Sequence, residues 1–219
     1  MFYIHLLERK NKIIAIKRKP LRFTDLQIVA IKVFIHVLAI GFVGNMLYLT
    51  ITDKIAGDPV DALLHFSGIG SLHFLLLCLL VSPTAKFFKA AGLIRIRRLL
   101  GLYAFFYACL HLLSFVFFEL QLEWGLILTE IVDRPFITVG FVAWLLLLSL
   151  TLTSTKGIQR RMGRRWQSLH NWIYMIAPLI VIHFYWSVKS NIFEPILYAV
   201  ALTLLLWLRK DKILKLIGR

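Results

Sequence analysis

The chain has little acid, little cysteine and no nucleotide-binding signature. Asp and Glu together number 11 against 26 Lys and Arg, and cysteine occurs twice in 219 residues. Cys78 and Cys109 form no CxxC and lie inside apolar runs, so they read as small core residues and say little about redox compartment. There is no GxGxxG and no P-loop. A membrane enzyme that oxidised NAD(P)H unaided would need a nucleotide-binding domain, and only about ten residues follow the last apolar run. No sustained repeat or low-complexity tract is present, and nothing reads as a separate soluble domain. The opening MFYIHLLERK has an apolar run too short, and broken too early by charge, for a convincing signal peptide.

What is present is hydrocarbon. Hydrophobic residues make up 59% of the chain, and mean hydropathy is +0.78, more apolar surface than a water-soluble domain of this size needs to bury. A bilayer core about 30 Å thick takes roughly 20 predominantly apolar residues per helix, because each backbone N–H and C=O must be satisfied within the segment. Six such spans are predicted, over about 26–51, 62–82, 99–120, 135–155, 169–188 and 193–208. Gly68 and Gly70 interrupt the second, and the sixth is short. The expected fold is all-α, an integral membrane bundle of about six transmembrane helices.

The net charge of +15 sorts by loop, as membrane topology requires and nucleic-acid binding does not. Arg9, Lys10, Lys12, Lys17, Arg18, Lys19 and Arg22 precede the first span. Lys86, Lys89, Arg95, Arg97 and Arg98 follow the second, Lys156, Arg160, Arg161, Arg164 and Arg165 the fourth, and Arg209, Lys210, Lys212, Lys215 and Arg219 the sixth. Six spans put all of these on one side. The other side carries Asp53, Asp58, Asp61, Glu119, Glu123, Glu130, Asp133 and Glu194 against Lys54, Arg134 and Lys189. Both termini are therefore expected in the cytoplasm, with residues 1–22 a basic extension that can touch anionic headgroups and 211–219 a basic tail.

Seven histidines remain: His5, His36, His65, His73, His111, His170 and His183. Ionisable groups inside spans are costly and usually face the bundle interior, where histidine either bonds between helices or serves function. Neutral imidazole is a good iron ligand, and a haem held by one histidine from each of two helices places a one-electron centre in lipid. At 1.5 Å per residue His183 lies roughly 20 Å, and His111 roughly 18 Å, from the cytoplasmic ends of their spans, so the two can face one iron in the outer half of the membrane. His36 and His73 come out roughly 14 to 15 Å from theirs, and depth alone does not exclude them. His170 lies about 20 Å below His183 and cannot share its haem.

The strings IRIRRLLGLYAFFYACLH, DRPFITVGFVAW, LTSTKGIQRRMGRRWQSLHNWIYMIAPLIVIHFYWSVK and DPVDALLHFSG resemble the MsrQ family, the haem-binding membrane subunits of bacterial protein-methionine-sulfoxide reductase systems, within the ferric-reductase-like transmembrane group. The resemblance covers roughly residues 22–210, leaving the first twenty without a counterpart, and makes 23–210 a ferric-reductase-like haem-binding domain. His73 departs from the family pattern. The resemblance implies an inner-membrane electron-transfer subunit, not catalytic on substrate alone. It would bind heme b and FMN, and pass electrons from the quinone pool or a cytoplasmic flavin reductase to a periplasmic molybdenum-containing methionine sulfoxide reductase. It places the outer haem ligands on His111 and His183, a third important histidine on His170, and paired arginines on Arg97 and Arg98.

One haem in the outer half leaves a gap to the cytoplasmic face that a redox-active group near His170 would close. Arg97, Arg98, Arg164 and Arg165 lie at that level, and guanidinium suits the phosphate of FMN, the propionates of a second haem or a quinol headgroup. Against this, such arginines also serve orientation alone. The tryptophans and tyrosines read as interfacial belts and packing, and the acidic outer loops can dock a partner. A stand-alone ferric or oxygen reductase is the alternative function.

Overall fold

The computed structural model describes residues 20–188 and 191–217. Most of the basic N-terminal extension, Lys189 and Arg219 fall outside the described residues.

The described chain is a helical bundle. Thr24 opens α1 (Asp25–Ile51) with a capping box, its hydroxyl taking the Gln27 N–H while Gln27 Oε1 takes the Thr24 N–H. Asp58 caps α2 (Pro59–Phe87) through Val60 N at 2.8 Å, with Pro59 at the first helical position, where no N–H is needed. A 3-10 segment (Ala91–Ile96) turns the chain into α3 (Arg97–Ser114), which continues as a π segment, Phe115–Glu119. Then follow α4 (Trp124–Asp133), α5 (Pro135–Leu152), α6 (Lys156–Met162), α7 (Arg164–Asn171), α8 (Ile173–Ser187), α9 (Phe193–Trp207) and α10 (Lys210–Ile217).

Among the described residues four stretches are long and apolar enough to cross a membrane: α1, α2, residues 91–119 including α3, and α5. The fifth and sixth expected spans are the shorter α8 and α9, of 15 residues each. Only Trp172 separates α7 from α8. The short α4 is an element the apolar runs did not announce, because ten residues cannot span hydrocarbon.

The core joins α2, α3, α5, α8 and α9 through Leu72, Leu75, Ala104, Leu147, Ile176 and Leu202. The α2–α3 pair is the most extensively packed. Gly68 and Gly70 do not interrupt α2. They let α3 approach it: a Cβ on Gly70 would collide with the Tyr107 ring, and Tyr107 Oη reaches past to donate to Ala39 O of α1 at 2.8 Å. By contrast α1 is peripheral, with Ile28 and Ala39 its only buried residues.

The C-terminal end of α2 contains a second device. Pro83 has no N–H to give the Leu79 carbonyl four residues back. Arg209, just beyond α9, donates to that carbonyl from Nη2 and to Tyr174 Oη from Nη1 at 2.9 Å. Arg209 is only 7% exposed. Expected as one more basic residue of the cytoplasmic tail, it is in fact a buried clamp joining α2, α8 and the C-terminal segment.

Candidate functional site between two helical hairpins

The site grows from two histidines aimed by their neighbours. His111, in the last turn of α3, uses Nδ1 on Leu64 O of α2 at 3.0 Å, and His183 of α8 uses Nδ1 on Phe136 O of α5 at 2.7 Å. A carbonyl only accepts, so Nδ1 carries the hydrogen in each ring and Nε2 keeps its lone pair. Among the described residues neither Nε2 has a hydrogen-bond partner. The ring centroids lie 6.1 Å apart with planes at 80°.

Glycine makes room for both rings. A Cβ on Gly68 would stand 3.2 Å from Nδ1 and Cε1 of His111, and one on Gly140 would stand 2.7 Å from the same atoms of His183. Although the sequence shows no sustained repeat, the two half-sites share one spacing. Each histidine follows its carbonyl partner by 47 residues and its glycine by 43 (68 to 111, 140 to 183). The hairpins α2–α3 and α5–α8 thus present equivalent imidazoles to each other.

Both rings line one cavity of about 560 Å³, with Gly68, Gly140, Trp144 and Phe184 on its walls and Asp61, His65, Glu119 and Arg134 among its polar lining groups. Ile127 and Ile131 bring α4 onto it. Arg134 is itself paired with Glu130 at 2.6 Å. The volume is that of a cofactor pocket.

This donor set selects its metal group. Among the described residues no three of His, Cys, Asp and Glu gather at a metal-binding distance. A metal held by two protein nitrogens in an apolar cavity must bring its remaining ligands with it, as the iron of a haem does. A single metal atom bound by one nitrogen of each imidazole would need the two rings within a few ångströms of each other, and centroids 6.1 Å apart meet that need. Haem therefore suits the residues present.

The surroundings of His170 differ. His170 Nε2 lies 3.1 Å from Thr153 Oγ1, and its ring stacks on Trp166 at 3.9 Å, while Trp166 Nε1 donates to Thr153 O at 2.8 Å. Arg97 is half-buried, close enough to act electrostatically on His170, and its carbonyl takes the Cys78 thiol hydrogen. Arg98, Arg164 and Arg165 are exposed. At the position thirteen before each cavity histidine stand Arg98 on one hairpin and His170 on the other.

The remaining membrane histidines have other partners. His36 Nδ1 is 2.5 Å from Tyr103 Oη, and His73 Nε2 is 2.7 Å from Tyr198 Oη. His65, on the cavity lining, faces Glu194 at 3.6 Å. Residue-by-residue reading missed Gly68, Gly140 and the carbonyls of Leu64 and Phe136, although a glycine 43 positions before each histidine is a visible signal.

The family described as "Ferric reductase like transmembrane component" matches residues 66–181. The protein-methionine-sulfoxide reductase heme-binding subunit MsrQ of Klebsiella pneumoniae (strain 342) is 43% identical over 193 residues, which are 88% of this chain and 97% of that protein. Its counterpart in Salmonella arizonae is 44% identical over 195 residues, again 88% and 97%, and that of Yersinia pseudotuberculosis serotype O:1b is 48% identical over 168 residues, 75% and 83%. No solved structure matches the chain. With this identity running over nearly the full length of those relatives, the chain belongs to the MsrQ family of protein-methionine-sulfoxide reductase heme-binding subunits, within the ferric reductase like transmembrane group.

Proposed function

We propose that the chain is a b-type cytochrome of the bacterial inner membrane, with both termini in the cytoplasm, that carries electrons outward and does no chemistry on substrate by itself. His111 and His183 are its outer haem ligands. The observation that carries this reading is a pair of histidines lining one mainly apolar cavity, with both Nδ1 atoms tied to backbone carbonyls and neither Nε2 bonded among the described residues. Bound haem supplies a one-electron carrier. The protein's own groups do the rest: the carbonyls of Leu64 and Phe136 fix tautomer and orientation, and the apolar walls limit water.

His170, Arg97 and Arg98 form the inner cofactor site, which takes FMN, a second haem or a quinone. Trp166 and Thr153 orient His170 there, and Arg97 supplies positive charge for an anionic group. Electrons enter from the quinone pool or a cytoplasmic flavin reductase and leave to a periplasmic molybdenum-containing methionine sulfoxide reductase, supporting repair of oxidised proteins. The names of the similar proteins support the sulfoxide reductase system as the destination.

Mixing chemically reduced protein with the purified molybdenum subunit tests the assignment. Rapid haem reoxidation that needs the partner supports electron delivery. Equal reoxidation by ferric chelates or oxygen alone would make the chain a stand-alone reductase instead.

A further inference from the structure

Among the described residues the membrane histidines His36 of α1, which meets Tyr103, and His73 of α2 are exposed on the outside of the bundle, and only the second is continuous with further polar groups that reach the haem cavity. His73 is the central residue of the 29-residue α2, fourteen positions from either end, and it is exposed on the outside of the bundle. In a spanning helix that face meets acyl chains, where an imidazole is costly unless it has a partner or a purpose. Its partner is Tyr198 of α9, half-buried, with Oη 2.7 Å from His73 Nε2. The pair is not isolated. One turn back along α9 is Glu194, and two turns back along α2 is His65, 3.6 Å from the Glu194 carboxylate. A row of polar groups therefore runs along the α2–α9 seam from one end of these helices to mid-membrane.

The seam touches the haem cavity. Phe184 packs edge-on to the Tyr198 ring at 5.9 Å and tilted against His65 at 6.4 Å, and both Phe184 and His65 line the cavity. From His73 to the cavity wall there is thus one phenol and one phenyl ring. A ligand for this pair must reach the middle of the bilayer from the lipid side, carry a polar group that both accepts and donates hydrogen bonds, and have reason to stop beside a one-electron site. Phospholipid headgroups fail the first condition, since they stay at the interface. A hydrophobic-tailed quinol meets all three.

We infer that the lipid-facing His73–Tyr198 pair in the α2–α9 seam is the headgroup site of a membrane quinol, distinct from the arginine-lined inner site. This deepens the electron-transfer reading above and rests on it. Imidazole and phenol each offer a donor and an acceptor, so the pair serves a quinol hydroxyl and a quinone carbonyl alike. Oxidation of one quinol to quinone breaks two O–H bonds and releases two electrons and two protons. The oxidant would be ferric haem held by His111 and His183, which would take one electron in each of two successive reductions and be reoxidised between them by the electron acceptor. His73 accepts the first proton, and both protons leave along Glu194 and His65 to water.

The test uses the full-length protein in nanodiscs of defined phospholipid free of quinone. A short-chain ubiquinone is titrated in, and binding is followed by calorimetry, a readout that needs no electron transfer. His73→Phe and Tyr198→Phe should each weaken binding about tenfold, the value of one lost hydrogen bond at this site. Reduction of the haem by the corresponding quinol should slow in parallel, while the dithionite-reduced spectrum stays as in the wild type. Tyr48→Phe, on the exposed surface of α1, should change neither. Unaltered quinone affinity in both seam variants would overturn the site. Normal affinity loss with a chain that holds no haem would keep the site and overturn the cytochrome reading instead.

Discussion

Gly140→Ala is the most discriminating single change, because one added methyl meets the ring of His183 directly. Its Cβ would stand 2.7 Å from Nδ1 and Cε1, whereas ordinary carbon contacts start at about 3.5 Å. The ring must retreat by about 0.8 Å, beyond the roughly 0.5 Å within which a functional constellation has to be held. The retreat also stretches the 2.7 Å bond to Phe136 O, adding about 1 kcal/mol to an overpacking cost of about 1–3 kcal/mol. At Gly68 the same methyl would stand 3.2 Å from the His111 ring, a retreat of only about 0.3 Å from normal contact. Gly44→Ala is the control: a Cβ there meets nothing within 4 Å in the interior of α1, so it should be neutral or stabilise by about 0.4–1 kcal/mol. Haem-to-protein ratio, the low-spin optical spectrum and the thermal midpoint in detergent should all rank Gly44→Ala above Gly68→Ala above Gly140→Ala. A Gly140→Ala protein with the haem content and midpoint of Gly44→Ala would refute the seating of His183 described above.

Replacing His111 or His183 by Ala should each abolish the outer haem, and His170→Ala should spare it while removing the inner cofactor, as measured by haem and flavin stoichiometry. Arg209→Met should lower unfolding stability by about 1–3 kcal/mol by stranding the Leu79 carbonyl. The cost should shrink in a Pro83→Ala background, where a backbone N–H can take over, so a double-mutant cycle by thermal unfolding reads the coupling. Tyr107→Phe should cost about 0.5–1.5 kcal/mol and raise hydrogen exchange in α1, since the Ala39 carbonyl loses its donor from α3. A reporter fused after Arg219 should be active in the cytoplasm and silent outside it.

The spans were legible because long apolar runs have few alternative uses, and the boundaries of α5 and α9 follow those runs closely. What failed to show was anything that depends on a neighbour. Gly68 and Gly70 look like weak points in an isolated helix, since glycine costs about 1 kcal/mol there relative to alanine. Beside α3 they are the positions where a ring has to fit. Arg209 looks like a solvated tail residue until a proline 126 positions earlier leaves a carbonyl in need of a donor. The α4 helix, with Ile127 and Ile131 turned to the cavity and Trp124, Leu128 and Val132 turned away and exposed, is too short to register as a span. Histidine depth brought His111 and His183 to a common level, and the structure sets their rings side by side. Near His170, charge counting could not tell half-buried Arg97 from exposed Arg98.

The hydrogen bonds that aim the two imidazoles also bear on how the protein is made. Each ring is oriented by a helix synthesised earlier: Leu64 precedes His111 and Phe136 precedes His183 by the same 47 residues. In chain order the first half-site is complete at His111, and its counterpart follows 72 residues later, at His183. A two-sided ligand then has nothing to close on until α8 has been inserted beside α5. A ligand that needs both imidazoles therefore needs both hairpins formed and packed together.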